Sequence, residues 1–187
     1  MVVSLFDGMS AFREAIRQLG IPPEDVSYYA SEILKEPMCV ANDNFPDTIQ
    51  LGDVRKIKYS WHNEVLVSGF GTPERKEYHV GRVDLVCAGS PCQGFSNVGK
   101  GAQMDHSQSM LFDAFYSLLD MIKPRFWFAE NVIDQKKFVI TKLFPRLEDK
   151  TFGQDKVSIL QLDSRHWACA ARPRAYATNI PVSEDMQ

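Results

Sequence analysis

Nowhere does the chain reach the ~20 consecutive apolar residues that a membrane span requires. Its first residues, Met1-Val2-Val3-Ser4-Leu5-Phe6, lack the basic n-region of a secretory leader. Cysteine is scarce. The four present, Cys39, Cys87, Cys92 and Cys169, show no C-x-x-C spacing. That leaves zinc binding and a disulfide framework without their usual signatures, and the expectation is a metal-free protein of a reducing compartment: cytoplasm first, the nucleus in a eukaryote. Positive charge is also short. The formal net charge is -3, odd for a protein gripping nucleic acid alone, because phosphate contacts need clustered Lys and Arg. No G-x-G-x-x-G occurs, so a pyrophosphate cradle is weakly supported. Repeats and low-complexity tracts are missing as well.

What is present suits one globular domain spanning 1–187, since 187 residues with 44% apolar content can bury a real core. Short apolar runs alternate with helical patterns. Strands are read at 2–6, 26–30, 49–51 and 83–88, at 126–129, and at 157–162 and 175–180. Helices are read at 11–19 (Phe12, Ala15, Ile16 and Leu19, with Gly20 as C-cap), 36–44, 107–122 and 135–147. In the 107–122 helix Leu111, Phe115, Leu118 and Ile122 share one face, and Pro124 ends it. The mixed polar stretch 56–82 reads as an insertion or hairpin excursion. The alternation implies an α/β fold with a doubly wound, mostly parallel sheet. Such a fold serves many functions, so the site must decide.

The carboxyl ends of these strands carry the chemistry. Cys92 follows the 83–88 run within Gly89-Ser90-Pro91-Cys92-Gln93, where an α/β sheet keeps its ligands and a thiol can act as a nucleophile. Phe6-Asp7-Gly8 closes the first strand: Gly8 permits close backbone approach, and Phe6 can stack on a flat ring. Glu32 can accept from ribose hydroxyls and Asp53 from an adenine amino group. Each of these residues also has a plain reading, as a turn or solvated surface group. Three successive strand ends that each offer a ligand-facing residue suggest a nucleoside without a phosphate chain, such as S-adenosylmethionine. Glu130, emerging from a buried strand, can keep its proton and donate to a ring nitrogen, or simply cap a helix. Arg172 and Arg174 can serve a phosphate and a base carbonyl, or form a basic edge.

Taken together, these segments resemble the C5-cytosine DNA methyltransferase family. Ser4-Leu5-Phe6-Asp7-Gly8 is similar to its first motif, Gly89-Ser90-Pro91-Cys92-Gln93 to its Pro-Cys loop, Glu130-Asn131-Val132 to its Glu-Asn-Val motif and Arg172-Pro173-Arg174 to its Arg-x-Arg motif, in the family's order. Ser31-Glu32, Gly52-Asp53-Val54-Arg55, Leu111-Phe112 and Asn179-Ile180-Pro181 look most like the animal de novo branch. One departure is Ala170, where the family usually has Gln. Another is that no target-recognition segment follows Arg174, so the chain resembles a catalytic half.

The resemblance implies a Rossmann-like methyltransferase fold and S-adenosylmethionine as cofactor. It implies Cys92 as nucleophile, Glu130 at the cytosine N3 edge, Arg174 at O2, and Arg172 at a phosphate or orienting Glu130. Phe6, Asp7, Gly8, Glu32, Ile33, Asp53, Val54, Gly89 and Leu111 would line the cofactor site. DNA is the implied partner. A second chain carrying target recognition, or a second copy of this one, would complete the assembly. A stand-alone enzyme, a non-catalytic module of the same fold and an RNA methyltransferase are the other readings.

Overall fold

The computed structural model describes residues 1–89, 107–133, 139–154, 156–166 and 169–183. Strands β1 (Val2–Leu5), β2 (Tyr28–Ser31) and β3 (Ile49–Gln50) come first, separated by helices α1 (Ala11–Gln18) and α2 (Lys35–Asn44). A small sheet of β4 (Lys58–Ser60), β5 (Val65–Ser68) and β6 (Lys76–His79) follows. Then come β7 (Leu85–Gly89), α3 (Ser107–Ile122), β8 (Phe126–Val132), β9 (Ser158–Asp163) and β10 (Pro173–Thr178). The main sheet has seven strands in the order β3-β2-β1-β7-β8-β10-β9. Pairing is parallel from β3 through β8, and β10 runs antiparallel to both of its neighbours. The doubly wound, mostly parallel architecture expected from the strand–helix alternation is the one observed.

Both faces of the central strands are covered, which is why β1, β2 and the middle of β7 are continuously buried instead of alternating. On one side α3 lays Phe115, Leu118, Leu119 and Ile122 against Trp127 of β8, all 1% exposed or less. Each such side chain contributes about 1.5–3 kcal/mol on burial. On the other side Ile16 and Phe12 of α1 pack over Val2, Tyr28 and Cys87. Helix α1 stops where Gly20 adopts φ +77° and its N–H closes on the Arg17 carbonyl at 3.0 Å. A buried amide ties the far ends together. Asn179 accepts from the Trp127 N–H at 2.7 Å and donates to the carbonyls of Arg125 (3.1 Å) and Thr151 (2.9 Å).

One local expectation gains detail and three change. The 56–82 excursion is a three-stranded antiparallel sheet, β4-β5-β6, whose central strand is buried along its length. Strand β8 continues past Ala129 through Val132, so Glu130 stands within a strand. Its residues alternate between a buried face packed on α3 and a half-open face, and the polar residues Glu130 and Asn131 do not interrupt that period. Strand β10 begins at Pro173 and so includes Arg174. In place of a regular 135–147 helix, 139–143 form a wide π-type turn and Phe144–Leu147 a 3-10 turn; residues 134–138 lie outside the described residues. Pro145 has no N–H to continue a regular ladder.

Candidate active site

The chain leaves β1 towards β2 on one side and leaves β7 towards β8 on the other. The carboxyl ends of these two adjacent strands therefore open a crevice, the usual ligand position in an open α/β sheet. The loop after β1 is shaped by three left-handed residues within five: Phe6 (φ +58°), Gly8 (φ +58°) and Ser10 (φ +61°). For a residue as large as Phe6 this conformation costs about 1–3 kcal/mol and persists only where its surroundings enforce it. The surroundings are specific. The Asp7 N–H donates to the Ser31 carbonyl at 3.1 Å. The Asp7 carboxylate accepts from the buried Tyr28 hydroxyl at 2.8 Å and from the Ser10 hydroxyl. The Gly8 N–H donates to Glu32 Oε2 at 3.0 Å. Glu32 Oε1 meanwhile accepts from the N–H groups of Ile33 (2.7 Å) and Leu34 (2.9 Å).

Two cavities meet in this crevice, and Phe6 and Gly89 belong to both. The first, about 360 Å³, is lined by Phe6, Glu32, Ile33, Asp53, Val54, Gly89 and Leu111, together with Ser31, Leu34 and Arg55. The second, about 440 Å³, is lined by Phe6, Asp7, Gly8, Gly89, Glu130 and Arg172, with Cys87, Phe128 and Phe12 on its apolar side. Both fall within the size range of small-molecule sites. All nine residues expected around a nucleoside therefore line one or the other. Asp53 is already engaged: it accepts from Arg55 Nη2 at 2.6 Å and from the Arg55 N–H at 3.0 Å. That guanidinium holds its carboxyl below the usual carboxylate range.

Glu130 lines the second cavity. Its register partners are Gly89 on β7 and Tyr176 on β10. A Cβ at position 89 would lie 3.6 Å from Glu130 Oε2, an ordinary van der Waals contact, so the two positions are immediate neighbours across the strands. Arg174 Nε is 2.7 Å from Glu130 Oε1, with the two side chains 17% and 29% exposed. The arginine at the carboxylate is thus Arg174. Arg172 lines the same cavity, and its N–H donates to Asp163 Oδ1 at 2.9 Å. Burial, and after it the nearby Cys87 and Asp7, push the Tyr28 hydroxyl well above the ordinary range; burial does the same to the Cys87 thiol. For Tyr176 the main cause is again burial, with the Glu130 charge adding to it. Cys92 lies outside the described residues.

Several lining residues were not assigned to the site in the sequence reading. Cys87 and Phe128 stand two positions before Gly89 and Glu130 on the same strand faces, so the two-residue period was a usable signal. Met9 comes from the loop after β1, and Phe12 and Ala15 from α1, whose apolar face carried no chemical signal.

A family model for C-5 cytosine-specific DNA methylase matches residues 1–144. The orphan methyltransferase M.SPRI of Bacillus phage SPR is 29% identical over 131 residues, which are 70% of this chain and 26% of that protein. The type II methyltransferase M.NgoBV of Neisseria gonorrhoeae is 30% identical over 134 residues, 70% of this chain and 27% of that protein. The chain spans about a quarter of the length of these relatives. A solved structure described as a putative DNA modification methyltransferase encoded within a prophage of E. coli superposes with TM-score 0.68 at 22% identity, over 98% of this chain and 49% of that one. That likeness carries the fold.

Proposed function

The chain belongs to the C-5 cytosine-specific DNA methylase family, and from that premise we propose that it transfers a methyl group from S-adenosylmethionine to C5 of cytosine in DNA through a covalent adduct on Cys92. The observation that carries this reading is the pair of cavities that share Phe6 and Gly89, one lined by Glu32 and the other by Glu130, whose carboxylate pairs with Arg174.

The donor set fits the cofactor. Glu32 uses three of about four acceptor positions on backbone N–H groups, leaving one for a ribose hydroxyl. Ile33, Val54 and Leu111 supply apolar walls for a flat base, with Phe6 at the junction of the cavities. When bound there, S-adenosylmethionine supplies an electrophilic methyl group. Cys92 thiolate would add to C6 of a cytosine turned out of its helix, pushing electrons towards C5. Glu130 would give a proton to N3 as the ring accepts charge, and Arg174 would support O2. After C5 takes the methyl, water would accept the C5 proton, the freed pair would re-form the C5–C6 double bond, Cys92 would leave as the thiolate, and N3 would return its proton to Glu130. Serine would serve poorly in this role, because a hydroxyl is far less nucleophilic near neutral pH.

The net charge of -3 supports a further part of the reading: grip on the DNA comes from a target-recognition module working with residues 1–187 rather than from these residues alone. The reaction would then take place wherever the DNA lies. Among the described residues, no helix is long and apolar enough to cross a membrane. The test is transfer of a labelled methyl group to cytosine-containing DNA, with and without candidate partner chains. Cys92→Ser should bind S-adenosylmethionine as wild type does and transfer nothing. Normal methylation by that variant, or methylation of RNA in preference to DNA, would overturn the proposal.

A further inference from the structure

In the turn between β5 and β6 a large aromatic ring is held out in water. Phe70 is 49% exposed, and its loop is built to keep it there. Gly69 (φ +62°) and Gly71 (φ +80°) flank it in the left-handed region. A Cβ at position 69 would come within 3.0 Å of the Glu74 carbonyl oxygen, a close approach that suits glycine. The Thr72 N–H (3.0 Å) and hydroxyl (2.8 Å) both donate to the Gly69 carbonyl and close the turn. The Phe70 N–H donates to the Lys56 carbonyl at 2.8 Å, which pins the loop beside Val54 and Arg55. Those two residues line the first cavity, so the ring stands at the crevice end of the molecule.

Two cations lie over the ring. Lys58 Nζ is 5.9 Å from its centroid and the Arg75 guanidinium carbon 6.0 Å. Lys58 makes no ion pair among the described residues. Arg75 is shared with Glu77, both about half exposed, and a pair in water contributes little and yields readily to a phosphate. Between Arg55 and Arg82 six Lys and Arg stand against three Glu, in a chain of 21 Lys and Arg against 24 Asp and Glu. The small sheet is thus a basic island on an otherwise acidic protein. Basic charge alone would attract any anionic partner. A pre-shaped ring between two cations fits a ligand that alternates anions with flat faces, as a nucleic acid does.

Resting on the reading of DNA as substrate, we infer that the 69–75 loop and Lys58 form a docking surface for DNA flanking the crevice. Phosphates lie on Lys58 and Arg75, and a sugar or base face lies on Phe70. Residues 1–187 then supply their own share of the grip, and a target-recognition module supplies the rest.

The test is fluorescence anisotropy of a labelled DNA duplex titrated with the protein at salt from about 50 to 200 mM. Wild type should bind, with affinity falling as salt rises. Replacing both Lys58 and Arg75 by Ala should flatten the slope of log affinity against log salt by about two, whatever the duplex sequence. Phe70→Ala should weaken binding about tenfold and leave the slope unchanged. None of the three side chains lines the crevice, so every variant should bind S-adenosylmethionine as wild type does. Independently of any variant, light-induced cross-linking of wild type to a duplex carrying 5-iodouracil should label the peptide that contains Phe70. An unchanged slope in the double variant, no label on that peptide, or tighter binding of poly-glutamate than of duplex through these residues overturns the docking surface alone. Failure of wild type to bind DNA at any salt overturns the functional reading with it.

Discussion

Replacing Glu32 by glutamine separates two duties that one carboxylate performs. Its Oε1 collects the N–H groups of Ile33 at 2.7 Å and Leu34 at 2.9 Å, fixing the chain as it enters α2. Its Oε2 reaches back across 24 residues to the Gly8 N–H at 3.0 Å, holding the strained loop after β1. Glutamine keeps one oxygen, which can still serve Ile33 and Leu34. Its amide NH2 then faces the Gly8 N–H, donor against donor, and that bond is lost. A hydrogen bond to a charged group contributes about 1.5–3 kcal/mol, and this half-exposed site belongs at the lower end of that range. A loss of about 1.5 kcal/mol lowers Tm by roughly 3–6 °C in a domain of this size. The cofactor should suffer separately, because a ribose hydroxyl loses its charged acceptor. Each 1.4 kcal/mol is tenfold in Kd, so the affinity for S-adenosylmethionine should fall on the order of 10-fold in Glu32→Gln and towards 100-fold in Glu32→Ala. Thermal unfolding and calorimetric titration with S-adenosylmethionine measure the two effects. A Glu32→Gln protein with unchanged Tm and unchanged Kd would refute the reasoning.

Three further outcomes follow from buried groups. Asn179→Ala removes the partner of the Trp127 N–H and of the Arg125 and Thr151 carbonyls inside the fold. With about 1–3 kcal/mol lost for each buried group left unsatisfied, urea unfolding should show a loss of at least about 2 kcal/mol. Cys87 is buried whereas Cys39 and Cys169 are exposed, so a thiol reagent should modify the exposed pair in the native protein and spare Cys87 until unfolding. Because burial pushes the Cys87 thiol upward, its contribution to stability is fully present below the unfolded thiol value of about 8.5 and is lost as pH rises beyond it. Urea melts at neutral and alkaline pH should therefore show a smaller alkaline loss in Cys87→Ala than in wild type, and equal losses would count against that account.

Strand ends were legible in the sequence because they are local. A buried apolar run followed by Gly, Asp or Glu marks where a parallel strand leaves the sheet, and Phe6, Gly8, Glu32, Asp53 and Gly89 all line the crevice read from that pattern. Side-chain partners were not legible, because they depend on register between distant strands. The encounter of Glu130 with Arg174 follows from antiparallel pairing of β8 with β10, where Val132 faces Arg174 and Glu130 faces Tyr176. Nothing near position 174 announces that pairing. Asp7 looked free to meet a ligand until Tyr28, 21 residues away, proved to donate its hydroxyl to it. The small sheet was read only as an insertion or hairpin excursion, because its central strand, Val65–Ser68, is short and its flanking strands are polar and largely open to water. Polar residues at 130 and 131 likewise hid the last turn of alternation in β8.

The central claim is that sulfur at position 92 bonds to cytosine carbon within this site. The most direct measurement uses DNA carrying 5-fluorocytosine, incubated with S-adenosylmethionine and the protein, alone and with partner chains, followed by mass analysis of digested peptides. With fluorine in place of the C5 proton, elimination is blocked. The account predicts a stable adduct carrying the transferred methyl group on the peptide that contains Cys92, and no adduct in Cys92→Ser. An adduct on Cys39, Cys87 or Cys169, or undiminished trapping by Cys92→Ser, would contradict it.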